Sequence, residues 1–280
     1  MYKILEKQSL NPTVSKMVIA CPAVAKKAEP GQFIILRVDD DGERIPLTVA
    51  DFDRQNGTVT IIYQIVGATT HKLDRLNAGD YICDFVGPLG RPSELDGLRK
   101  VAVVGGGVGC AIALPTAKKL HALGVEVHSV IGFRNKDLVI LEKDFRECSS
   151  VCKLMTDDGS AGEKGLVTAA LEDLIKAGNV YDEVIAIGPL VMMKFVCKLT
   201  EKYGIKTTVS MNPIMIDGTG MCGGCRLTVG GEMKFACVDG PDFDGHKVDF
   251  DEAIERGRVY AEFEKRAYEK QCNLLRGASK

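Results

Sequence analysis

The sequence feature that most constrains the fold is the uncharged stretch VAVVGGGVG, which begins at Val101 and passes from apolar residues into glycines. The residues after it, AIALPTAKKLHA, have the apolar spacing of a helix that ends near Gly124. Strand-like and helical segments go on alternating through DEVIAIGP and VMMKFVCKLTEKYG. Such alternation is typical of a doubly wound parallel sheet with helices on both faces.

The N-terminal third of the chain has a different pattern. Short runs rich in Ile, Val, Tyr and Thr, such as GQFIILRV and GTVTIIYQIVG, are separated by Asp-Gly, Asn-Gly and Ala-Gly turns. This pattern predicts an antiparallel barrel or sandwich. We therefore expect three units: a β module over residues 1–97, an α/β domain over 98–207, and a cysteine-bearing loop with a C-terminal helix over 208–280. That helix is predicted from Asp251 to Gln271.

The charge balance excludes two classes of partner. Lys and Arg number 36 and Asp and Glu number 38, so the net charge is only -2. No field of one sign is available to hold nucleic acid or an anionic membrane surface. The uncharged stretch between Lys100 and Lys118 is too short and too glycine-rich for a spanning helix. Charges surround the few apolar N-terminal residues, which argues against a signal peptide, so we expect a cytoplasmic chain.

The glycine turn itself has the context of a phosphate site. Gly105–Gly107 and Gly109 follow a strand and open a helix, where backbone N–H groups can approach a phosphate. The match to the G-x-G-x-x-G dinucleotide fingerprint is imperfect, because Cys110 occupies the third glycine position. Arg134 and Asn135 stand where an acidic ribose ligand usually ends the second strand. A tight turn without a ligand remains an alternative, whereas the lack of a Gly-Lys-Ser/Thr sequence excludes a P-loop nucleotidase.

Cysteine use points to a metal site. Most of the ten cysteines are scattered and are expected to be small buried hydrophobes, whereas Cys222, Cys225 and Cys237 lie together in a glycine-rich segment. A plant-type [2Fe–2S] site has the spacing C-x₄-C-x₂-C followed by a distant Cys, and here Asp217 takes the first position. A carboxylate can ligate iron, so this set favours a [2Fe–2S] cluster. Zinc bound by three thiolates and a carboxylate remains an alternative, as do three free thiols.

Two segments of the β module have residues that suit phosphate contacts. Arg44-Ile-Pro46-Leu-Thr48 places a guanidinium and a hydroxyl at the two ends of a strand, and Arg suits bidentate phosphate binding. The turn Val66–Thr70 precedes a short helix, which is again compatible with a phosphate. Either segment could instead be purely structural, as an Arg at a strand edge and a capped helix.

The order of these motifs resembles that of a known family. An R-x-P-x-T strand, a GGGVG turn, a Gly-Pro-x-x-Met-Met turn and a C-terminal cysteine segment occur in this order in the ferredoxin–NADP reductase superfamily. Within it, the chain resembles the small subunits of NADH-dependent reduced ferredoxin:NADP oxidoreductases, which are electron-bifurcating enzymes. It is also similar to the electron-transfer subunits of dihydroorotate dehydrogenase. The resemblance covers nearly the whole chain.

The resemblance implies an FAD-binding barrel, an NAD(H)-binding α/β domain and a C-terminal [2Fe–2S] segment. The residues that match the flavin strand and the segment beside the flavin pyrophosphate are Arg44, Pro46, Leu47, Thr48, Gly67, Thr69 and Thr70. Those that match the nicotinamide-nucleotide site are Gly106, Gly107, Val108, Gly109, Asp157, Asp158, Gly159, Gly188, Pro189 and Met192. The implied cluster ligands are Asp217, Cys222, Cys225 and Cys237.

The resemblance also implies a reaction and a partner. It implies that a hydride passes between NAD(H) and FAD, and that electrons pass through the cluster to or from a larger subunit. That partner would hold another FAD and [4Fe–4S] clusters, bind NADP(H), and form a heterodimer or larger complex that reacts with ferredoxin. Asp217 matches the bifurcating type, whereas dihydroorotate dehydrogenase subunits resemble a four-Cys set. The alternatives are a dihydroorotate dehydrogenase subunit and, from another class, a non-catalytic zinc-bearing adaptor.

Overall fold

An antiparallel sheet of seven strands forms a nearly closed N-terminal barrel. Its elements are β1 Tyr2–Asn11, β2 Val14–Ala20, α1 Pro22–Ala25, β3 Phe33–Arg37, β4 Arg44–Asp53, β5 Thr58–Gln64, α2 Ala68–Leu73, β6 Tyr81–Ile82 and β7 Asp84–Leu89. The strands pair in the order β6-β1-β2-β5-β4-β3-β7, and Ile4, Met17, Ile61 and Phe85 are among the buried core residues. The predicted antiparallel barrel is confirmed, although the sequence patterns did not single out β1 and β2.

A parallel sheet forms the second layered unit. Its elements are β8 Lys100–Gly106, α3 Gly109–Ala122, β9 Glu126–Phe133, a 3₁₀ turn Lys136–Leu138, α4 Glu142–Glu147, β10 Val151–Thr156, β11 Glu163–Lys164, α5 Val167–Lys176, β12 Glu183–Ile187, α6 Leu190–Lys202 and β13 Thr207–Ser210. The strands lie in the order β11-β10-β9-β8-β12-β13, all parallel. Leu114 and Leu120 of α3 pack into one core cluster, and Leu171 and Val196 of α5 and α6 into another. The predicted doubly wound sheet is confirmed.

The order of the parallel strands positions the site. The chain runs outward from β8 through β9 to β10, then returns to place β12 on the other side of β8. Connections leave the carboxyl ends of β8 and β12 in opposite directions, which opens a crevice between them. Ligands of doubly wound sheets bind at this point, so the topology fixes where a nucleotide site can lie.

The C-terminal part of the chain returns to the parallel sheet. A separate hairpin is formed by β14 Arg226–Val229 and β15 Glu232–Phe235, and β16 Asp242–Asp244 then pairs antiparallel with β13. The predicted limit between residues 207 and 208 therefore falls inside β13. The backbone is described for residues 1–278 of this computed structural model and side chains for residues 1–269, so the side chain of Cys272 lies outside the described part.

Two helices end the described chain. α7 spans Phe250–Arg256 and α8 spans Ala261–Ala278, so the prediction of one continuous helix from Asp251 to Gln271 is wrong. Gly257, a residue type with low helix propensity, stands at the C-terminal end of α7, and the chain turns before α8 begins. Within residues 1–278, no helix combines the length and the apolar character that crossing a bilayer requires.

Candidate functional site

A cleft of about 900 Å³ lies between the barrel and the carboxyl ends of the parallel strands. Side chains of β4 form part of its barrel wall, and the turn after β8 and the start of α6 form part of the opposite wall. The predicted site residues that line it are Pro46, Leu47, Thr48, Gly106, Gly107, Val108, Gly109, Asp157, Gly188, Pro189 and Met192. The cleft therefore occupies the crevice that the strand order creates.

Close packing explains the glycines of the turn after β8. A Cβ atom added to Gly109 would lie 2.5 Å from the carbonyl oxygen of Ile187, and one added to Gly106 would lie 2.4 Å from Met192 Sδ. Gly107 has a φ of +56° and no heavy atom within 4 Å of an added Cβ. The first two positions thus require glycine for contact with β12 and α6, while the third requires it for its left-handed backbone.

The predicted turn Asp157–Gly159 has only its first residue in the lining of the cleft. Asp157 follows β10 and lines the cleft, whereas Asp158 and Gly159 do not. The Asp158 carboxylate accepts hydrogen bonds from the Ser160 hydroxyl at 2.6 Å and the Ser160 N–H at 2.9 Å, which lowers its pKa. Asp158 therefore closes its own turn, with Gly159 at a φ of +78°.

The predicted pyrophosphate segment lies outside the lining of the cleft. Thr70 Oγ1 accepts hydrogen bonds from the N–H groups of Val66 and Gly67, both at 3.0 Å, and so caps α2. Thr69 Oγ1 donates to Glu43 Oε2 at 2.9 Å. These contacts stabilise the turn, and a phosphate at Gly67, Thr69 and Thr70 stays a prediction.

Arg44 also lies outside the lining of the cleft, although it shares β4 with Thr48. Its Nε–H donates a hydrogen bond of 2.7 Å to the carbonyl oxygen of Ile216, directly before Asp217. The guanidinium therefore contacts the predicted cluster segment rather than the cleft.

Several cleft residues had escaped the sequence patterns. Val191 and Phe195 lie one turn apart on α6, line the cleft, and are 53% and 54% exposed. Ser210 and Asn212, at the carboxyl end of β13, line it as well. Phe195 follows Met192 by three residues on α6. Large apolar residues on the outer face of a helix indicate a binding surface, because such a face is normally polar.

The cysteine segment, which we define as residues 217–237, has a buried inner half. Cys225 and Cys237 are 1% and 2% exposed, and their Sγ atoms lie 3.2 Å apart. Cys225 stands at the start of β14, and Cys237 follows β15, so the hairpin brings them together. Burial, together with the adjacent Cys225, raises the pKa of Cys237 to about 12.

The outer half of the segment is exposed. The Asp217 carboxylate accepts hydrogen bonds from the Thr219 hydroxyl, from the Thr219 N–H at 2.9 Å and from the Met221 N–H at 3.3 Å, which lower its pKa. The N–H groups of Gly224, Asp217 and Ile216 lower the pKa of the exposed Cys222 thiol. Backbone N–H groups directed at a sulfur are what a thiolate ligand needs.

These donors fit a two-iron cluster better than a single ion. Among residues 1–269, no three Cys, His, Asp or Glu side chains converge to form a site for one metal ion. A [2Fe–2S] cluster divides its four ligands between two irons, so the Cys225–Cys237 pair suits one iron. Cys222 and Asp217 are the predicted donors to the other iron. Zinc, by contrast, requires four ligands around one point.

The cysteine segment and the cleft share a packed wall. Phe33 and Met215 line the cleft and belong to the same hydrophobic cluster as Cys225 and Cys237. Gly218, at a φ of +83°, lies against β3 and β7, where an added Cβ would be 2.8 Å from Leu89 Cδ1. The cleft and the buried pair Cys225 and Cys237 are therefore joined by one continuous hydrophobic core.

Comparison with known proteins agrees with this architecture. Residues 212–249 match the family model described as the iron–sulfur cluster binding domain of dihydroorotate dehydrogenase B. A Thermotoga maritima protein named as a homologue of the dihydroorotate dehydrogenase B (NAD(+)) electron transfer subunit is 47% identical over 96% of this chain and 94% of its own. A chain from a structure of NADH-dependent reduced ferredoxin–NADP oxidoreductase is 46% identical, with a TM-score of 0.91 over 96% of this chain and 97% of that chain.

The barrel, the parallel sheet and the cleft between them define an oxidoreductase subunit of the ferredoxin–NADP reductase fold. A ferredoxin reductase of carbazole 1,9a-dioxygenase, 18% identical, shares this fold with a TM-score of 0.61 over 73% of this chain and 65% of that chain. The chain belongs to the family of dihydroorotate dehydrogenase B electron-transfer subunits and their homologues.

Proposed function

We propose that this chain is the flavin- and iron–sulfur-dependent electron-transfer subunit of an electron-bifurcating NADH-dependent ferredoxin:NADP oxidoreductase. The observation that carries the proposal is the shared wall of Phe33 and Met215 between the cleft and the cysteine segment. Two redox sites that exchange electrons must lie close together, and this wall joins them through one hydrophobic cluster. The likeness to the ferredoxin–NADP oxidoreductase chain supports the choice of enzyme.

The walls of the cleft have separate roles. Pro46, Leu47 and Thr48 of the barrel would hold FAD, and Arg44, Gly67, Thr69 and Thr70 are the family-matched positions for its phosphates. The turn Gly106–Gly109 with Gly188, Pro189 and Met192 would hold NAD(H), because this turn lines the cleft where α3 begins. Asp157 is the member of the turn Asp157–Gly159 that reaches the cleft.

Residues 1–97, 98–207 and 208–280 are proposed as the flavin, nucleotide and cluster units.

The cysteine segment would hold the [2Fe–2S] cluster through Asp217, Cys222, Cys225 and Cys237. When bound, FAD converts the two-electron chemistry of NAD(H) into the one-electron chemistry of the cluster. The chain itself binds and orients these groups, and the cleft walls exclude water from them. Among the described residues, we assign no side chain as a general acid or base.

The partner is proposed to be a larger subunit with its own flavin and [4Fe–4S] clusters. Relatives named as electron-transfer subunits function within a larger complex, and this chain has the same role. A larger subunit that binds NADP(H) and reacts with ferredoxin would complete the reaction named for the structural relative.

An anaerobic spectrum tests the proposal. The purified chain should show flavin absorption that is bleached by NADH, and an electron paramagnetic resonance signal of a reduced [2Fe–2S] cluster should then appear. A colourless chain that contains zinc after anaerobic reconstitution would overturn the proposal and support the adaptor alternative.

A second candidate is the electron-transfer subunit of an NAD-dependent dihydroorotate dehydrogenase, because the cluster-domain model and several relatives carry that name. The natural complex distinguishes the two candidates. Reduction of its flavin by dihydroorotate would support the second, whereas reduction of ferredoxin coupled to NADPH oxidation would support the first.

A further inference from the structure

Two oppositely charged residues of the cleft lining stand side by side without forming a pair. Among the described residues that line the cleft, Arg134 and Asp157 are the only charged ones, and both are exposed. Arg134 follows β9, and Asp157 follows β10. Within residues 1–269, neither side chain forms a hydrogen bond or an ion pair. A guanidinium and a carboxylate are therefore both available to a ligand in the cleft.

The backbone fixes the two residues beside each other. β9 and β10 are parallel, and Phe133 pairs with Thr156 at the ends of the two strands. The Asp157 N–H donates to the Phe133 carbonyl oxygen at 3.0 Å, and the next N–H, that of Asp158, donates to the carbonyl oxygen after it at 3.3 Å. Adjacent strands lie about 4.8 Å apart, so Arg134 and Asp157 leave the sheet as direct neighbours.

Their place in the sheet determines which part of a nucleotide they would contact. In a doubly wound sheet, the dinucleotide pyrophosphate lies at the start of the helix after the first strand, and the adenosine ribose lies near the end of the second strand. In this chain, those positions are the turn Gly106–Gly109 and Arg134. An acidic side chain in this region binds the ribose 2′-hydroxyl of NAD(H), whereas an Arg accommodates the 2′-phosphate of NADP(H). The cleft has one residue of each kind.

We propose that Asp157 and Arg134 select the coenzyme, with Asp157 binding the adenosine ribose hydroxyls of NAD(H) and excluding the 2′-phosphate of NADP(H). The inference rests on the proposed function, because it concerns the nucleotide site of the cleft. It places the acidic ribose ligand at the end of the third strand of the unit, β10, and not at the end of the second strand, where the dinucleotide fingerprint has it.

Hydrogen bonding and charge determine the direction of the selection. A carboxylate accepts bonds from two hydroxyl groups, and such charge-assisted bonds are about twice as strong as neutral ones. The same carboxylate repels a 2′-phosphate and so offsets the attraction of Arg134. Without the charge of Asp157, Arg134 would be the only charged residue in the described lining, and a guanidinium suits a phosphate. A neutral residue at this position should therefore make the site accept the 2′-phosphate.

The experiment measures direct binding of ADP-ribose and of its 2′-phosphate, two nucleotides that lack nicotinamide, by isothermal titration calorimetry. The proteins are the full-length chain reconstituted with FAD as wild type, Asp157→Asn, Arg134→Met and the double variant. Asp137→Asn is the control, because Asp137 is an exposed carboxylate three residues after Arg134 that lies outside the lining of the cleft. All titrations use one ionic strength, since salt screens these charges. If Asp157→Asn fails to fold, Asp157→Ser replaces it, since Ser also removes the charge.

We expect wild type and Asp137→Asn to prefer ADP-ribose. In Asp157→Asn, the affinity for ADP-ribose should fall about tenfold or more, as for a lost hydrogen bond to a charged group, while the affinity for the 2′-phosphate rises. That gain should disappear in the double variant, which lacks Arg134 as well. Bleaching of the flavin by NADH and by NADPH should change in the same order.

Three results would overturn the inference: equal affinity of the wild type for both nucleotides, an unchanged affinity ratio in Asp157→Asn, or a gain in 2′-phosphate binding that persists without Arg134. A wild-type chain that binds neither nucleotide would overturn the proposed nucleotide site itself, and the inference with it.

Discussion

The cleft and the cysteine segment differ in how they are built. The cleft wall around Gly109 consists of strand ends and helix starts that touch without space for a Cβ. The cysteine segment is a loop with a short hairpin, and five of its glycines have positive φ: Gly218, Gly220, Gly223, Gly230 and Gly231. Regular elements fix a cleft before any ligand binds, whereas a loop gains its final shape with its ligand. We therefore expect the nucleotide site to be preformed and the cluster site to be completed by iron.

The same contrast divides the cysteine segment. Cys225 and Cys237 belong to a large hydrophobic cluster, while Cys222 is exposed and Asp217 is half-buried. Packing in the core fixes Cys225 and Cys237, so these two ligands of one iron would be preformed. The outer pair depends on turn hydrogen bonds, such as that from the Thr219 N–H to Asp217. Substitutions in the two halves should accordingly have effects of different size.

The largest effect is expected from Cys225→Ser, which removes a buried thiolate from the inner pair. Loss of a contact that only supports a metal ligand typically lowers metal affinity 10–100-fold, and loss of the ligand itself should cost at least as much. We expect iron content to fall by at least about tenfold. FAD should be retained, because the cleft residues of β4 lie outside the cysteine segment. Iron, sulfide and flavin analyses of the purified protein provide the measurement.

Cys197→Ser is the control for this variant. Cys197 is a buried thiol of α6, 5% exposed, so its replacement places the same hydroxyl in the core without touching the cysteine segment. It should keep full iron content. Equal loss of iron in both variants would show that Cys225 acts through core packing and not as a ligand.

A smaller effect is expected in the outer half. Asp217→Cys should keep a [2Fe–2S] cluster, since a thiolate is the usual ligand at this position, but the change from oxygen to sulfur should shift its midpoint potential. A redox titration followed by electron paramagnetic resonance measures the shift. An unchanged potential would mean that Asp217 is not a ligand and that only the three cysteines hold the metal.

Gly109→Ala examines the preformed site. The added Cβ would meet the Ile187 carbonyl oxygen at 2.5 Å, so β12 or α3 must move, which typically costs about 1–3 kcal/mol. We expect a lower free energy of unfolding in chemical denaturation and weaker retention of NAD(H). Gly67→Ala is the stability control, because its backbone is extended and nothing lies within 4 Å of the new Cβ. Equal stability of Gly109→Ala and wild type would contradict a tightly packed turn.

The sequence predicted the elements whose signals are local. VAVVGGGVG marked β8 and the turn after it, and the predicted doubly wound sheet followed from strands alternating with helices. β1 was missed because it is half-exposed, with Ile4 as its only fully buried side chain. The break between α7 and α8 at Gly257 was not predicted, because glycine lowers helix propensity without forbidding a helix.

The residues of the site were harder to predict from sequence, because they come from segments that lie far apart along the chain. Met192 and Met193 are neighbours in sequence, yet the first lines the cleft and the second is fully buried, which depends on how α6 docks. Phe195 was missed for the same reason. Arg44 was matched to phosphate binding by its motif, but its hydrogen bond to Ile216 links residues far apart in sequence. Spacing identifies candidate ligands, and only tertiary structure shows which group each one meets.

The smallest effect concerns the junction between the two regions, where Asp242 of β16 is half-buried. Ser93, between the barrel and the parallel sheet, donates from Oγ to Asp242 Oδ2 at 2.6 Å, while Oδ1 has no hydrogen-bond partner among residues 1–269. Burial raises the pKa of Asp242, and the hydroxyls of Ser93 and Ser210 offset this only in part. A carboxyl with a raised folded-state pKa contributes stability that is fully present below the usual Asp range and is lost as pH rises through that folded-state pKa.

Asp242→Asn should therefore change how stability depends on pH. Above the usual Asp range, ionisation of the unfolded chain lowers the free energy of unfolding of the wild type by up to about 1.4 kcal/mol per pH unit, until the raised folded-state pKa is passed. Asn cannot ionise, so the variant should lack this decline and gain on the wild type as pH rises. Denaturant unfolding at a series of pH values measures the difference.

Asp244→Asn, two residues along the same strand, should behave in the opposite way. Burial acts to raise the pKa of Asp244, but Lys247 and the His246 N–H outweigh it, so the net pKa is lowered. Its stabilising contribution is present above the usual Asp range and is lost as pH falls, so Asp244→Asn should be less stable than wild type at neutral pH and converge with it in acid. Parallel pH profiles for wild type and Asp242→Asn would show that Asp242 ionises normally at the junction. Opposite slopes in the two variants would show that the fold shifts the pKa values of these two carboxyls in opposite directions.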